Sequence, residues 1–280
     1  MTPAKDIIVA IDGFASCGKS SLAKSLARTL NYRHIDTGAM YRAVTWYFLK
    51  NQVDWRHKPD REEALDQIAI TFENHHQLNR TLLNGQDVET VIRSAEVNQE
   101  VSEVSVFGDV REKVVALQRS MGKGKRIVME GRDIGTVVFP EAELKIFLTA
   151  SLEVRTDRRF QELMLKGVMT TRGEVQENLL KRDYIDSHRE ISPLRKAKDA
   201  WEIDNSDLTI LDQQFRDIAT ARAIKRQVGA VPAIGKARLP AEFQRRNVRI
   251  SDDADFHLSA PNAASISSSQ TGSICDCRKW

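Results

Sequence analysis

Residues 7–30, IIVAIDGFASCGKSSLAKSLARTL, restrict the possible folds more than any other stretch of the chain. Residues 7–11 are a short apolar, largely β-branched run of the kind that forms a buried strand. Gly13, four further residues and Gly18-Lys19-Ser20 then complete the pattern G-x-x-x-x-G-K-[ST]. Leu22, Ala23, Leu26, Ala27 and Leu30 follow at helical spacing. A strand, a glycine loop and a helix in that order suit a polyphosphate. Glycines let the backbone curl so that successive N–H groups point inward, and the helix N-terminus adds unpaired donors and the positive end of its dipole. In such a loop Lys19 reaches the β- and γ-phosphates and the Ser20 hydroxyl can ligate Mg²⁺. The pattern alone does not separate kinases from GTPases, ATPases or transporters.

The rest of the chain alternates strands and helices, which predicts an α/β fold with a parallel sheet covered on both faces. Strands are expected at 32–35, 126–129, 144–148 and near Ile203 with 208–211. Helices are expected up to about residue 50, within 90–121, at 152–166 and 172–187, and around Phe215 to Arg222. Residues 55–61 are polar with a proline and read as a loop. Ile68, Ile70 and Phe72 alternate with polar neighbours, residues 81–83 form a further run, and Asn84-Gly85 is a strong hairpin signal. These predict a small antiparallel insert. Ligands of parallel sheets bind beyond the strands' carboxyl ends, where Gly13, Asp36, Glu130 and Thr149 fall. After residue 231 the composition shifts to seven serines without periodicity, so 232–280 is expected to be mostly disordered.

Composition narrows the class. The 280 residues carry a net charge of +3 with interspersed signs, which gives no reason to expect a nucleic-acid partner. Three cysteines, Cys17, Cys275 and Cys277, suggest no disulfide framework and fit a reducing cytoplasm. The N-terminus runs straight into a strand and does not read as a signal peptide, and no apolar run approaches the length of a membrane span.

A second group of residues points past simple nucleotide binding. Arg42, Arg111, Arg132, Asp133, Arg182, Asp186 and Arg189 sit at the ends of expected elements. Arg182, Asp186 and Arg189 share one helix face, which suits either a solvated ion-pair surface or a ligand site. Arg155, Arg158 and Arg159 begin another helix. The arginine fork fits phosphate oxygens, and phosphoryl transfer depends on positioning and on neutralising charge.

The segments GFASCGKSS, DTGAMYRAV, NGQDVETVIRSAEV, MEGRDIGTVVFPEAELKIFLTAS and KRDYIDSHREISPL, in this order over about four-fifths of the chain, resemble the bacterial cytidylate kinases. The resemblance implies a P-loop nucleoside monophosphate kinase that transfers the γ-phosphoryl group of ATP-Mg²⁺ to CMP or dCMP, in the cytoplasm and as a monomer. It implies a kinase domain over 1–231, with a core of about 5–50 and 122–228, a monophosphate-binding insert region of about 51–121 and a lid of about 152–172.

By position, the resemblance assigns Gly13, Phe14, Ala15, Ser16, Cys17, Gly18, Lys19, Ser20 and Ser21 to the ATP phosphates, with Ser20 toward the metal. It places Thr37 and Arg42 at the CMP phosphate end and Ser102, Arg111, Arg132 and Asp133 around cytosine. Arg182, Asp186 and Arg189 go to the monophosphate and sugar, and Arg155, Arg158 and Arg159 to the lid. Lys19, Arg132 and the lid arginines would carry the charge of transfer. Glu130 stands where some members have aspartate, Ser21 where threonine is common, and the tail after 231 lies outside the family pattern. Asp12 is a candidate second support for Mg²⁺.

Three alternatives remain open from the residues. A kinase of another small molecule, such as UMP, AMP or shikimate, would share the P-loop. A GTPase-like switch would need a guanine-reading motif, which Asn51-Gln52-Val53-Asp54 matches only loosely. A regulatory protein that binds ATP without turnover would not need the full set of phosphate ligands.

Overall fold

The chain is described from a computed structural model that covers residues 6–75 and 78–207. In chain order the elements are β1 (Ile8–Gly13), α1 (Lys19–Leu30), β2 (Arg33–Asp36), α2 (Thr37–Lys50), α3 (Lys58–Asp66), β3 (Ile70–His75), β4 (Leu78–Leu83) and β5 (Gln86–Asp87). They continue with α4 (Ala95–Val104), α5 (Gly108–Gly122), β6 (Ile127–Gly131), β7 (Leu144–Thr149), α6 (Leu152–Leu165), α7 (Arg172–His188) and β8 (Trp201–Asp204).

Five strands form a parallel sheet in the order β2-β6-β1-β7-β8. Strand β1 is buried along its whole length, and its pleat sends alternate side chains to two layers. Val9 and Ile11 pack with Leu22, Leu26 and Leu30 of α1, while Ile8 and Ala10 join Ile35, Ile127, Met129 and Ile134 on the other face. Burying a leucine such as Leu26 this completely contributes about 1.5–3 kcal/mol. The chain leaves β1 toward β2 and later returns through β6 before crossing to β7. The loop after β1 therefore lies at the switch point of the sheet, where a crevice opens.

The expected antiparallel insert is present as β3-β4-β5. Its hairpin turns at Asn84 and Gly85, whose φ values of 50° and 79° suit the right-handed twist of paired strands. A third apolar cluster joins α2, α4 and α5 to Ile70 and Leu83 of this insert. A capping box at Thr171 and Glu174 fixes the start of α7.

One expectation needs correction. Residues 55–61 are not simply a loop: α3 begins at Lys58 with Pro59 in its first turn, where a missing N–H costs nothing. The last described strand is Trp201–Asp204. The expected strand at 208–211, the helix near 215–222 and the tail lie outside the described residues. A π-helical turn at Ile134–Val138, directly after Arg132-Asp133, was not expected from the sequence.

Gly13 fixes the loop to the sheet. Its φ is 151°, and a Cβ added there would lie 2.1 Å from the Leu148 carbonyl oxygen of β7. Gly13→Ala is expected to destabilise the protein by at least about 2 kcal/mol, read as a lower urea midpoint with an unchanged slope. An unchanged midpoint would show that β1 and β7 can separate there without cost.

Candidate active site

Segments from most of the chain converge on one cleft at the carboxyl edge of the parallel sheet. The P-loop supplies Ala15, Ser16, Lys19 and Ser20, and α2 supplies Thr37, Gly38, Tyr41 and Arg42. Ser102 and Ser105 come from the end of α4, Arg111 from α5, Glu130 to Asp133 from the end of β6, Arg159 from α6, and Arg182, Asp186 and Arg189 from α7.

The P-loop is tightly ordered. Gly18 adopts φ 101° at the start of α1. Lys19 is buried, with Nζ donating to the Phe14 carbonyl at 2.5 Å and lying 3.7 Å from Cys17 Sγ. Burial lowers its pKa, and the Arg132 charge adds to that. Ser20 Oγ donates to Glu130 Oε2 at 2.8 Å, and Thr37 Oγ1 donates to the Glu130 carbonyl at 2.7 Å.

Deeper in the cleft, five charges form a buried chain. Arg111 Nη2 donates to Asp133 Oδ2 at 2.5 Å, and its Nη1 donates to the Ser105 carbonyl. Arg189 lies 3.8 Å from Asp133 Oδ1 and 3.7 Å from Asp186 Oδ1. Arg132 Nε donates to Asp186 Oδ2 at 2.7 Å. Burial raises the Asp186 pKa, but Arg132 and Arg189 outweigh it and hold the carboxyl below its usual range. Ser102 is buried at the same end.

Over the whole cleft the balance is positive. Eight cationic and five acidic side chains line the cleft, an excess that favours an anionic ligand. Arg42 and Arg182 meet no carboxylate at ion-pair distance among the described residues. Arg42 reaches Asn98 Oδ1 at 3.4 Å, and the buried Nε of Arg182 has no hydrogen-bond partner there. Burial and the neighbouring guanidinium groups of Arg42 and Arg132 push Arg182 down to about 9.

A model of the cytidylate kinase family matches residues 9–220. The chain belongs to the cytidylate kinase family. A cytidylate kinase of Bacteroides thetaiotaomicron is 54% identical over 215 residues, covering 75% of this chain and 94% of that protein. One from Flavobacterium johnsoniae is 51% identical over 216 residues, with the same coverage. Among solved structures, a shikimate kinase from Bacteroides thetaiotaomicron aligns with a TM-score of 0.42 at 12% identity, over 79% of this chain and 99% of that one.

The cleft of this family member gathers most, but not all, of the residues singled out in the sequence. Thr37, Arg42, Ser102, Arg111, Arg132, Asp133, Arg182, Asp186 and Arg189 all line it. Of the P-loop residues, Gly13, Phe14, Cys17, Gly18 and Ser21 do not. Cys17 is buried in the core and the Phe14 ring packs edge-on to Phe147.

The three lid arginines separate. Arg159 lines the cleft, whereas Arg155 is buried beneath the P-loop, donating to the Ala15 and Ala150 carbonyls and to Asp183. Arg158 donates to the Asn205 carbonyl. Arg155 and Arg158 therefore hold structure together in this arrangement instead of facing the cleft. Thr149 donates to the Ile203 carbonyl and lies outside the cleft. Asp36, Tyr41, Arg93, Glu130 and Glu162 line the cleft without having been placed among the expected binding residues. Asp36, Tyr41, Arg93 and Glu130 lie within the quoted motifs, and Asp36 and Glu130 also fall at the carboxyl edge of the sheet, the signals that could have found them.

Asp12 does not face Ser20. Its two oxygens accept from the Ile134 and Gly135 N–H groups at 2.7 and 2.8 Å, so it anchors the π turn that follows Arg132-Asp133. The carboxylate beside Ser20 is Glu130. Burial pushes the Asp12 carboxyl up to about 6 from an ordinary 3.8, against the pull of those two N–H groups. The folded state then holds this proton more tightly than the unfolded state does. Stability relative to Asp12→Asn should fall by about 3 kcal/mol as pH rises from about 4 to about 6 and stay level above that. Urea melts across this range would check it. A rise instead of a fall would mean that the two amide bonds outweigh burial.

Proposed function

We propose that the protein transfers the γ-phosphoryl group of ATP to CMP or dCMP, releasing ADP and CDP or dCDP. The observation that carries this reading is the pairing, in one cleft, of the P-loop Lys19 with a buried polar corner of Ser102, Arg111 and Asp133. The two are joined by Arg132, Arg182 and Arg42. In this reading Lys19 marks the triphosphate end, Arg42, Arg132 and Arg182 the monophosphate region, and Ser102, Arg111 and Asp133 the base-reading corner.

In this reading Arg111, Asp133 and Ser102 hold the cytosine edge, whose exocyclic amine donates and whose ring nitrogen and carbonyl accept. Asp186 and Arg189 hold the sugar, which leaves room for ribose or deoxyribose. Arg42, Arg132 and Arg182 take the acceptor phosphate. One of its oxygens attacks the γ-phosphorus in line, the bond to the β–γ bridging oxygen breaks, and ADP leaves with the electron pair. The acceptor phosphate is largely ionised near neutral pH, so no general base is needed. Lys19 and Arg159 spread the charge that develops on the moving group. Ser20 and Glu130, a hydroxyl and a carboxylate 2.8 Å apart, are oxygen donors of the type that Mg²⁺ takes. The ion, when bound, neutralises charge on the donor phosphates. Arg155 and Arg158 serve the lid by fixing α6 to the P-loop and to the segment after β8. In this reading the enzyme is a monomer that acts on free cytoplasmic nucleotides and takes no nucleic acid.

Chromatography of a reaction containing ATP-Mg²⁺ and CMP tests the proposal. CDP and ADP should appear in equal amounts. ADP without CDP would mean hydrolysis instead of transfer and would overturn it.

A further inference from the structure

We infer that His34 is a positioning residue that locks the Glu130 carboxylate against Ser20 and so sets how tightly the nucleotide-bound protein holds its divalent ion. This rests on the reading above that Ser20 and Glu130 face Mg²⁺.

The geometry is a three-part chain. His34 Nε2 lies 2.8 Å from Glu130 Oε1, and the other oxygen, Oε2, accepts from Ser20 Oγ at 2.8 Å. Strands β2 and β6 are adjacent and parallel, with His34 opposite Val128 and Asp36 opposite Glu130. His34 therefore stands two positions back from the Glu130 level, on the same face as Asp36, where an imidazole can reach forward along the sheet. The side chains of His34 and Glu130 are 7% and 4% exposed. His34 itself does not line the cleft and can act there only through Glu130.

A glutamate needs such a brace more than an aspartate does. Its extra methylene adds a rotatable bond that must be frozen before the carboxylate has a fixed place. Thr37 pins the Glu130 main chain through its carbonyl, whereas His34 holds the carboxylate oxygen turned away from Ser20. Groups that orient a metal-facing carboxylate typically change ion affinity by about 10-fold or more when removed. Facing a carboxylate oxygen, Nε2 is the nitrogen that carries a proton and donates, so the effect is one of placement.

Mn²⁺ binding to the full chain saturated with ADP, followed by the electron paramagnetic resonance signal of free Mn²⁺, tests this directly. His34→Leu should weaken Mn²⁺ binding about 10-fold while leaving metal-free ADP affinity unchanged. His34→Gln, whose amide nitrogen falls near the place of Nε2, should stay within about threefold of the parent. If His34→Leu does not fold, His34→Asn replaces it, because its amide falls near Nδ1 and short of Glu130. Equal Mn²⁺ affinity in the parent and His34→Leu overturns the inference, as does an equal loss in His34→Leu and His34→Gln. Glu130→Gln separates the two levels. If it weakens Mn²⁺ binding while His34→Leu does not, only the role of His34 fails. If Glu130→Gln leaves Mn²⁺ affinity unchanged, the placement of the ion fails as well.

Discussion

Arg182→Met is expected to make the ligand-free protein more stable and to disable it as an enzyme. Arg182 stands among Arg42, Arg132 and Arg159, and burial with that repulsion drives its guanidinium down to about 9. An arginine nevertheless keeps its proton at neutral pH, so the repulsion is borne by the fold. Its buried Nε has no partner among the described residues. A methionine removes the charge and keeps the packing of the aliphatic stem, so the melting temperature without ligand should rise by about 2–4 °C, corresponding to about 1 kcal/mol in a chain of this size. Turnover with CMP should fall by about 10²–10³, because a charge-stabilising donor would be missing at the acceptor phosphate. Such a trade of stability for activity marks a site arranged for an anionic ligand. A lower melting temperature with little change in turnover would mean that Arg182 serves the fold.

Lys19→Met should cost still more, about 10³ or more in kcat, with a melting temperature close to the parent's. Lys19 is held at the head of α1 by the Phe14 carbonyl, so its charge is already in place before nucleotide binds. Preorganised charges of this kind act mainly on the transition state. Lys19→Arg should not restore activity, since the position is 7% exposed and closed by the loop, and the broader guanidinium does not fit an ammonium's cradle. Single-turnover rates with ATP-Mg²⁺ and CMP would read this. Retention of more than about a tenth of the parent rate would remove Lys19 from the transfer step.

The sequence carried the local part of this architecture. The P-loop, the strand–helix alternation and the Asn84-Gly85 hairpin are set by neighbours within a few residues, and all three are found. Pro59 misled because proline marks a break only inside a helix, and here it starts one. What stayed hidden depends on long-range meetings. Arg111 and Asp133 are 22 residues apart, Arg132 and Asp186 are 54 apart, and His34 and Glu130 are 96 apart. The lid arginines show the limit of helix periodicity. Arg155, Arg158 and Arg159 are spaced to share a face, yet Arg155 meets Asp183 and the Ala15 carbonyl under the P-loop. Arg159, one turn of about 5.4 Å further along, clears the loop and lines the cleft. Asp12 likewise sits beside the phosphate loop in sequence but turns to the far side of β1, toward the Ile134 and Gly135 amides.

The most direct test of cytidylate kinase activity is ADP formation from ATP-Mg²⁺ with CMP, dCMP, UMP, AMP, shikimate or no acceptor. Turnover should be well above the rest with CMP and dCMP, and Asp133→Ala should erase that preference. Equal turnover with UMP or AMP would contradict the cytosine reading of Ser102, Arg111 and Asp133, and ATP loss that needs no acceptor would contradict the kinase itself.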